Sequence, residues 1–232
     1  MILFKRPINL KGRKYGIGQK LTFPDGTFID GNAPIPYYGA SQTFGATRND
    51  FEGGAICALS TFPASTDLCE TDISGNRAGV TLQNMVLEAN GYAQDCIDHD
   101  YSGSSFTERP LYLNNVLISG AGNDGIKAQN CIFIRGKNVI FSACNQYARN
   151  FISGVSDTLW EGIFTHTCNI GADNYGQGCA ENINIGGKIV KAETADGYTI
   201  EDINLADDGI DAVIETGAYK EIAHKLNMTD AQ

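Results

Sequence analysis

Four carboxylates and a histidine fall close together in the middle of the chain, as Asp95-Cys96-Ile97-Asp98-His99-Asp100 and, further on, Asn123-Asp124-Gly125-Ile126. Aligning Asp95-Cys96-Ile97 with Asp124-Gly125-Ile126 sets Asp95 and Asp124 at equivalent positions of two successive structural units. If those units stack, the carboxylates lie about 5 Å apart, the separation of a retaining glycosidase pair. Mutual repulsion would raise one of the two pKa values and leave an acid beside an ionised partner. Asp98 or Asp100 could instead pair across a wider gap that admits water, as inversion needs. The plainer reading makes Asp95 and Asp124 turn residues that hold backbone amides at a corner.

A second group is Trp160, the only tryptophan, followed by Glu161. An exposed indole stacks on the apolar face of a sugar, and a neighbouring carboxylate would complete a recognition or acid-base site. The alternative is a core Trp160 with Glu161 in solvent. His99, Tyr101 and His166 are further substrate-binding candidates, with Tyr37 and Tyr38 in a loop and Asp173 near His166. Asp98 and Asp100 around His99 offer oxygen ligands of the kind Ca²⁺ takes, but the spacing of a calcium loop is missing. No metal and no other cofactor is expected.

These residues must be held by a repeating frame. Leu113, Gly136 and Leu159 recur at an interval of 23, as do Val116, Val139 and Gly162, and Ile118, Phe141 and Phe164. Leu87 and Glu88 match Ile118 and Ser119 if 101–109 is a loop insertion. Such a period means stacked units that bury their apolar sides only against neighbours. Within each unit the apolar residues alternate, as in Val116-Leu117-Ile118 and Val139-Ile140-Phe141, which is a strand period. The expectation is an all-β solenoid of parallel strands. On the 23-residue alignment Glu161 shares a column with Asn115 and Asn138.

The 232 residues suit one domain with a sizeable core. Its 27 glycines fit a protein of many tight corners. A net charge of −10 argues against a nucleic-acid partner, whose phosphates need a basic face. No apolar run is long enough for a membrane-spanning helix, and MILFKRPINLKGRK lacks the apolar core of a signal peptide. The seven cysteines show no metal-type spacing and read as buried thiols of a reduced compartment. Residues 1–20 read as a basic arm or attachment segment, and Leu21–Ile29 around Pro24-Asp25-Gly26 as hairpin-like. Parallel strands with an irregular excursion at 30–54 fill 21–214. In 215–232, Tyr219, Ile222 and Leu226 have helical spacing, which predicts a short amphipathic cap over the open end of the coil.

LTFPDGTFIDGN, VTLQNMVLEANG and LYLNNVLISGAGNDGIKAQN together resemble the right-handed parallel β-helix of the pectin-lyase-like superfamily, over about residues 21–190. Asn84, Asn115, Asn138 and Asn182 stand where that superfamily stacks turn asparagines, whose amides bond from unit to unit. Ile97-Asp98-His99 is similar to a pectate-lyase segment, but Cys96 replaces its Trp and the arginine motif is missing. Asp207-Asp208-Gly209 offers an acidic pair without the Gly-His-Gly of polygalacturonases. The basic arm, the short rod and the lack of an export signal are most similar to a bacteriophage tailspike or tail-fibre module. That resemblance implies a homotrimer made in host cytoplasm and carried on the virion, with other tail proteins met through the arm. Its ligand would be a bacterial surface polysaccharide, cleaved by a glycoside hydrolase or lyase reaction or only bound by a structural module. A secreted cell-wall polysaccharide lyase or hydrolase is the further alternative.

Overall fold

The computed structural model describes residues 7–32, 54–73, 78–101, 107–166 and 168, and beyond them the strands between 171 and 225. Every regular element among the described residues is a β-strand. The strands are β1 (Ile8–Asn9), β2 (Lys14–Ile17), β3 (Leu21–Pro24), β4 (Phe28–Asp30), β5 (Ala55–Ala58), β6 (Cys69–Asp72), β7 (Val80–Glu88), β8 (Ile97–Asp100) and β9 (Thr107–Ser119). They continue with β10 (Ile126–Ser142), β11 (Tyr147–Ser156), β12 (Thr158–His166), β13 (Gly171–Tyr175) and β14 (Cys179–Ile185).

Three parallel ladders run through these strands. The first passes β1, β4, β7, β9, β10, β12 and β14. The second joins β2 and β5 to the later halves of β7, β9, β10 and β12. The third runs β3, β6, β8, the start of β10, β11 and β13. Together they form one parallel-strand sheet curled as a half-barrel around a common core, an arrangement compatible with a parallel β-helix. Strand alternation sets that core: Ile29, Leu82, Leu113, Gly136 and Trp160 are register partners in turn, and all five are buried.

The expected spacing of 23 holds between β9 and β10, where Leu113 faces Gly136 and Val116 faces Val139. Leu87 faces Ile118 and Glu88 faces Ser119, as the loop-insertion alignment requires. Between β10 and β12 the register moves on by one, so Gly136 faces Trp160 rather than Leu159. The cause is in β11: Ala128 pairs with Phe151, but Gln129 pairs with Ser153, so one extra residue is bulged out there. A one-residue slip exchanges the two faces of a strand. Here it turns Trp160 inward over Gly136, where a Cβ would stand 2.0 Å from Trp160 Cε3. Only glycine leaves room for the indole.

Corners are built from positive-φ residues. Asn84, Asn115 and Asn138 all have φ near 50° (50°, 53° and 50°). Asn138 Nδ2 donates to Asn115 Oδ1 at 3.0 Å, Asn115 Nδ2 to Asn84 Oδ1 at 3.0 Å, and Asn84 Nδ2 to Asp30 Oδ1 at 3.2 Å. The stacked asparagines are present at these three positions. Asn182 is not in their line, since it pairs with Leu159. Pro24-Asp25-Gly26-Thr27 is a tight turn, with Thr27 N–H donating to Pro24 O at 3.0 Å and Gly26 at φ 82°. It does not close a hairpin. β3 pairs with β6 and β4 with β1 and β7, so the turn carries the chain from the third ladder to the first.

Two further expectations are corrected. The segment read as an arm supplies β1 and β2, and Leu10 is buried in the core. Beyond β14 the chain reverses: β15 (Lys188–Thr194) and β16 (Tyr198–Asp202) add antiparallel strands, and β17 (Asp211–Ile214) pairs antiparallel with β18 (Ile222–Lys225). Ile222–Lys225 is thus strand, not part of a helical cap, and the remainder of 215–232 lies outside the described residues. The physical reason is that Val213-Ile214 meet Ile222-Ala223 in a ladder. A helix of two turns has little stability of its own in water. Of the expected loops, 33–53 and 102–106 lie outside the described residues, while Thr107–Arg109 begin β9.

Candidate functional site: the acidic face of the third ladder

The corner before the third ladder repeats one residue per turn. Asp95 N–H donates to Asp67 Oδ1 at 3.3 Å, Asp124 N–H to Asp95 Oδ1 at 2.9 Å, and Tyr147 N–H to Asp124 Oδ1 at 3.1 Å. Asn150 Nδ2 takes the other oxygen of Asp124 at 2.7 Å. Asp95 and Asp124 do occupy equivalent positions on neighbouring strands, but they face the backbone amide of the next turn. Both are buried. Burial pushes Asp95 up to about 7, with the charge of Asp124 adding to it and the Asp124 N–H opposing. Burial also raises Asp124, against hydrogen bonds from Asn150 and Tyr147. This is the work of corner residues, and both oxygens of Asp124 are spent on it.

Three residues further along each strand the side chains turn outward. Thr22, Glu70, Asp98, Lys127 and Asn150 follow one another in register, one per strand. Asp98 is half-buried, and its Oδ1 accepts the Asp100 N–H at 3.1 Å. Burial first, and the Asp67 charge second, push Asp98 up to about 6, while Lys127 holds it down. Lys127 Nζ reaches Asp100 Oδ2 at 2.8 Å. Glu70 accepts from Thr22 Oγ1 at 2.7 Å and is ion-paired with Lys20. The next outward row holds Asp100, Gln129 and Ser153, the last two bonded at 2.9 Å.

His99 points the other way. It is fully buried and bonded at both nitrogens, to Thr71 Oγ1 at 2.6 Å through Nδ1 and to the Arg109 carbonyl at 3.0 Å through Nε2. A carbonyl only accepts, so Nε2 carries the proton and Nδ1 accepts from the Thr71 hydroxyl. Burial pushes the imidazole down to about 4 and keeps it neutral. Tyr101 donates to the Thr71 carbonyl and accepts the Ile73 N–H, both at 3.1 Å, under the Arg109 guanidinium at 3.6 Å from its ring. Both residues tie strands together, His99 fully buried and Tyr101 half-buried.

Trp160 is likewise in the core, with the Arg149 guanidinium 4.7 Å from its ring. Glu161 stands beside Lys137 at 3.2 Å, in register with it and not in the Asn115–Asn138 column. It is on the first ladder, whereas Asp98 is on the third. His166 pairs with Ser142 on the second ladder, and Asp173 with Arg149 on the third. Tyr37, Tyr38, Asp207 and Asp208 lie outside the described residues. Of the proposed site, the structure gathers Asp95, Asp98 and Asp124 and separates Glu161, Trp160 and His166 from them.

The residues missed were Asp67, Glu70 and Lys127. A signal for them existed, since Asp67-Leu68-Cys69-Glu70, Asp95-Cys96-Ile97-Asp98 and Asp124-Gly125-Ile126-Lys127 align as one corner and strand start. Among the described residues no group of three or more His, Cys, Asp or Glu is arranged to hold a metal ion. Cys57, Cys69, Cys96, Cys131, Cys144 and Cys168 are free thiols. No family model matches this chain, and neither a curated protein nor a solved structure matches it.

Proposed function

We propose that this chain is a right-handed parallel β-helix module of a tailspike-like or tail-fibre-like virion protein, and that it binds a bacterial surface polysaccharide along the outward face of its third ladder. One observation carries the reading: the row Thr22–Glu70–Asp98–Lys127–Asn150, a different polar group on each successive strand. Strands about 4.8 Å apart hold such groups at fixed intervals, so a long flexible polymer meets donors and acceptors already in place. Three copies side by side would multiply weak sugar contacts through effective concentration. For cleavage, Asp98 is the general acid, because it lies on the face and its pKa of about 6 keeps a proton available near neutrality.

The test is incubation with a panel of capsule and lipopolysaccharide preparations, measuring binding by calorimetry and looking for new reducing ends or unsaturated sugars. Asp98→Asn is expected to abolish product while binding persists. A second reading, a non-catalytic receptor-binding or structural virion module, is favoured by the use of Asp95 and Asp124 on backbone amides. Binding without products would select it. A panel with neither binding nor products would sink the glycan-binding readings and leave only a structural module.

A further inference from the structure

Two cysteines stand at the same corner of successive turns. Cys144 follows the end of β10, and Cys168 follows the end of β12. Ser142 and His166 are register partners there, and each cysteine lies two residues further on. Cys144 is buried in the core, and half-buried Cys168 packs against that same core. The two thiols are hydrogen-bonded to one another, which together with burial holds Cys144 well above the ordinary thiol value of 9.0.

Neighbouring strands stand about 4.8 Å apart, within the ~4.4–6.8 Å between Cα atoms that a disulfide spans. Cys69 and Cys96 are fully buried and turn their S–H groups to carbonyls, Cys69 to Cys96 O at 2.9 Å and Cys96 to Ser119 O at 3.3 Å. Cys131 is also fully buried, and Cys57 faces Glu88 in register. Packing does not ask for sulfur at the Cys144 corner. On the preceding turn Ser119 is the partner of Ser142, and two residues past it the buried Ala121 fills the place.

We propose that Cys144 and Cys168 form a disulfide when the protein meets an oxidising solution, and that this bond staples two successive turns of the stack. The oxidant is a low-molecular-weight disulfide. Cys168, the more accessible thiol, loses its proton, and its thiolate attacks the reagent's S–S bond, forming a mixed disulfide and releasing one thiolate. Cys144 then loses its proton and attacks Cys168 Sγ, and the second thiolate leaves. The two leaving thiolates take up the two protons, and two electrons from the cysteine pair reduce one reagent S–S bond. The new bond joins the β10–β11 corner to the β12–β13 corner, ahead of the antiparallel reversal at β14–β15. It closes a loop of about 25 residues and so restricts the unfolded chain. Glycan binding plays no part in it.

Oxidised glutathione tests this on the folded full chain. Mass spectrometry after alkylation is expected to find a cross-linked peptide joining Cys144 to Cys168, two hydrogens lighter than its parts. The Tm should rise by about 6–12 °C and fall back when dithiothreitol is added. Cys144→Ala, which copies Ala121, is expected to stop at a stable mixed disulfide on Cys168. Cys168→Ser should leave Cys144 unmodified, and neither variant should gain in Tm. Unaltered thiols at both positions in excess reagent would overturn the proposal, as would linkage through another pair or a Cys168 adduct that the native chain never resolves. A Cys144–Cys168 bond that forms without raising the Tm would overturn the staple.

Discussion

Asp95→Asn is expected to make the protein more stable at pH 8 and less stable, by about 1–3 kcal/mol, at pH 4. In the folded chain burial pushes Asp95 from its ordinary 3.8 to about 7. A carboxyl whose folded pKa is raised is held more comfortably when protonated. The native state therefore carries no penalty below pH 3.8, a growing one between 3.8 and about 7, and the full one above. That interval corresponds to about 4 kcal/mol, at about 1.4 kcal/mol per tenfold. Asparagine keeps the oxygen that receives the Asp124 N–H at 2.9 Å and never ionises. Its amide N–H₂ needs an acceptor at a buried site, which takes back about 1–3 kcal/mol. The net expectation is a gain of about 2 kcal/mol at pH 8, or about 4–8 °C in Tm for a chain of this length.

The assay is urea or thermal unfolding of both proteins at pH 4, 6 and 8. It needs no substrate and so is independent of any glycan chemistry. The decisive quantity is the difference between the two proteins, which should shift steadily in favour of the variant as pH rises. A variant less stable than the parent at pH 8, or a difference constant from pH 4 to pH 8, would refute the placement of Asp95 as a buried, amide-bound corner residue.

His99 should act with the opposite sign. Its folded pKa of about 4 lies below the ordinary 6.5, so stability attributable to it is lost as pH falls from 6.5 to 4. The loss reaches about 3 kcal/mol, and His99→Gln should flatten that part of the unfolding profile. Gly136→Ala places a Cβ 2.0 Å from Trp160 Cε3 and should destabilise by about 2 kcal/mol or more, with part recovered by adding Trp160→Leu. Asn115→Ala breaks the amide bonds to Asn84 and Asn138 and puts alanine at φ 53°, for a loss of about 2 kcal/mol in urea unfolding. Asn115→Gly should recover only the backbone share.

The pairings Leu113 with Gly136 and Leu87 with Ile118 could be read from spacing, because no insertion intervenes or because 101–109 is visibly one. The bulge in β11 could not. Nothing in Phe151-Ile152-Ser153 marks Ile152 as the extra residue, and its consequence is the inward turn of Trp160 and the shift of Glu161 to Lys137. A period read from one interval is blind to such a step, and alternation doubles the error by exchanging faces. The reversal after β14 did leave a trace. Gly186-Gly187 between two apolar runs is the signal of a two-residue hairpin, and Ile185 pairs with Lys188 across it. The expected hairpin at Pro24-Asp25-Gly26 failed for the converse reason: the turn is real, but its flanking strands find their partners in other turns of the chain.

The same alternation decides which acids are available for chemistry. Even-spaced residues of β8 face the core, so His99, which looked the most chemical of its group, is neutral and enclosed. Its neighbours Asp98 and Asp100 face outward with Lys127 between their charges. A corner carboxylate that must accept an amide to turn the chain cannot also exchange protons with a substrate without loosening the turn. Asp124 has both oxygens committed, and Asp95 has one. Any catalysis on this frame therefore draws its acid from the face rather than the corner. On that face, burial and the Asp67 charge push Asp98 up to about 6, which makes it the candidate acid.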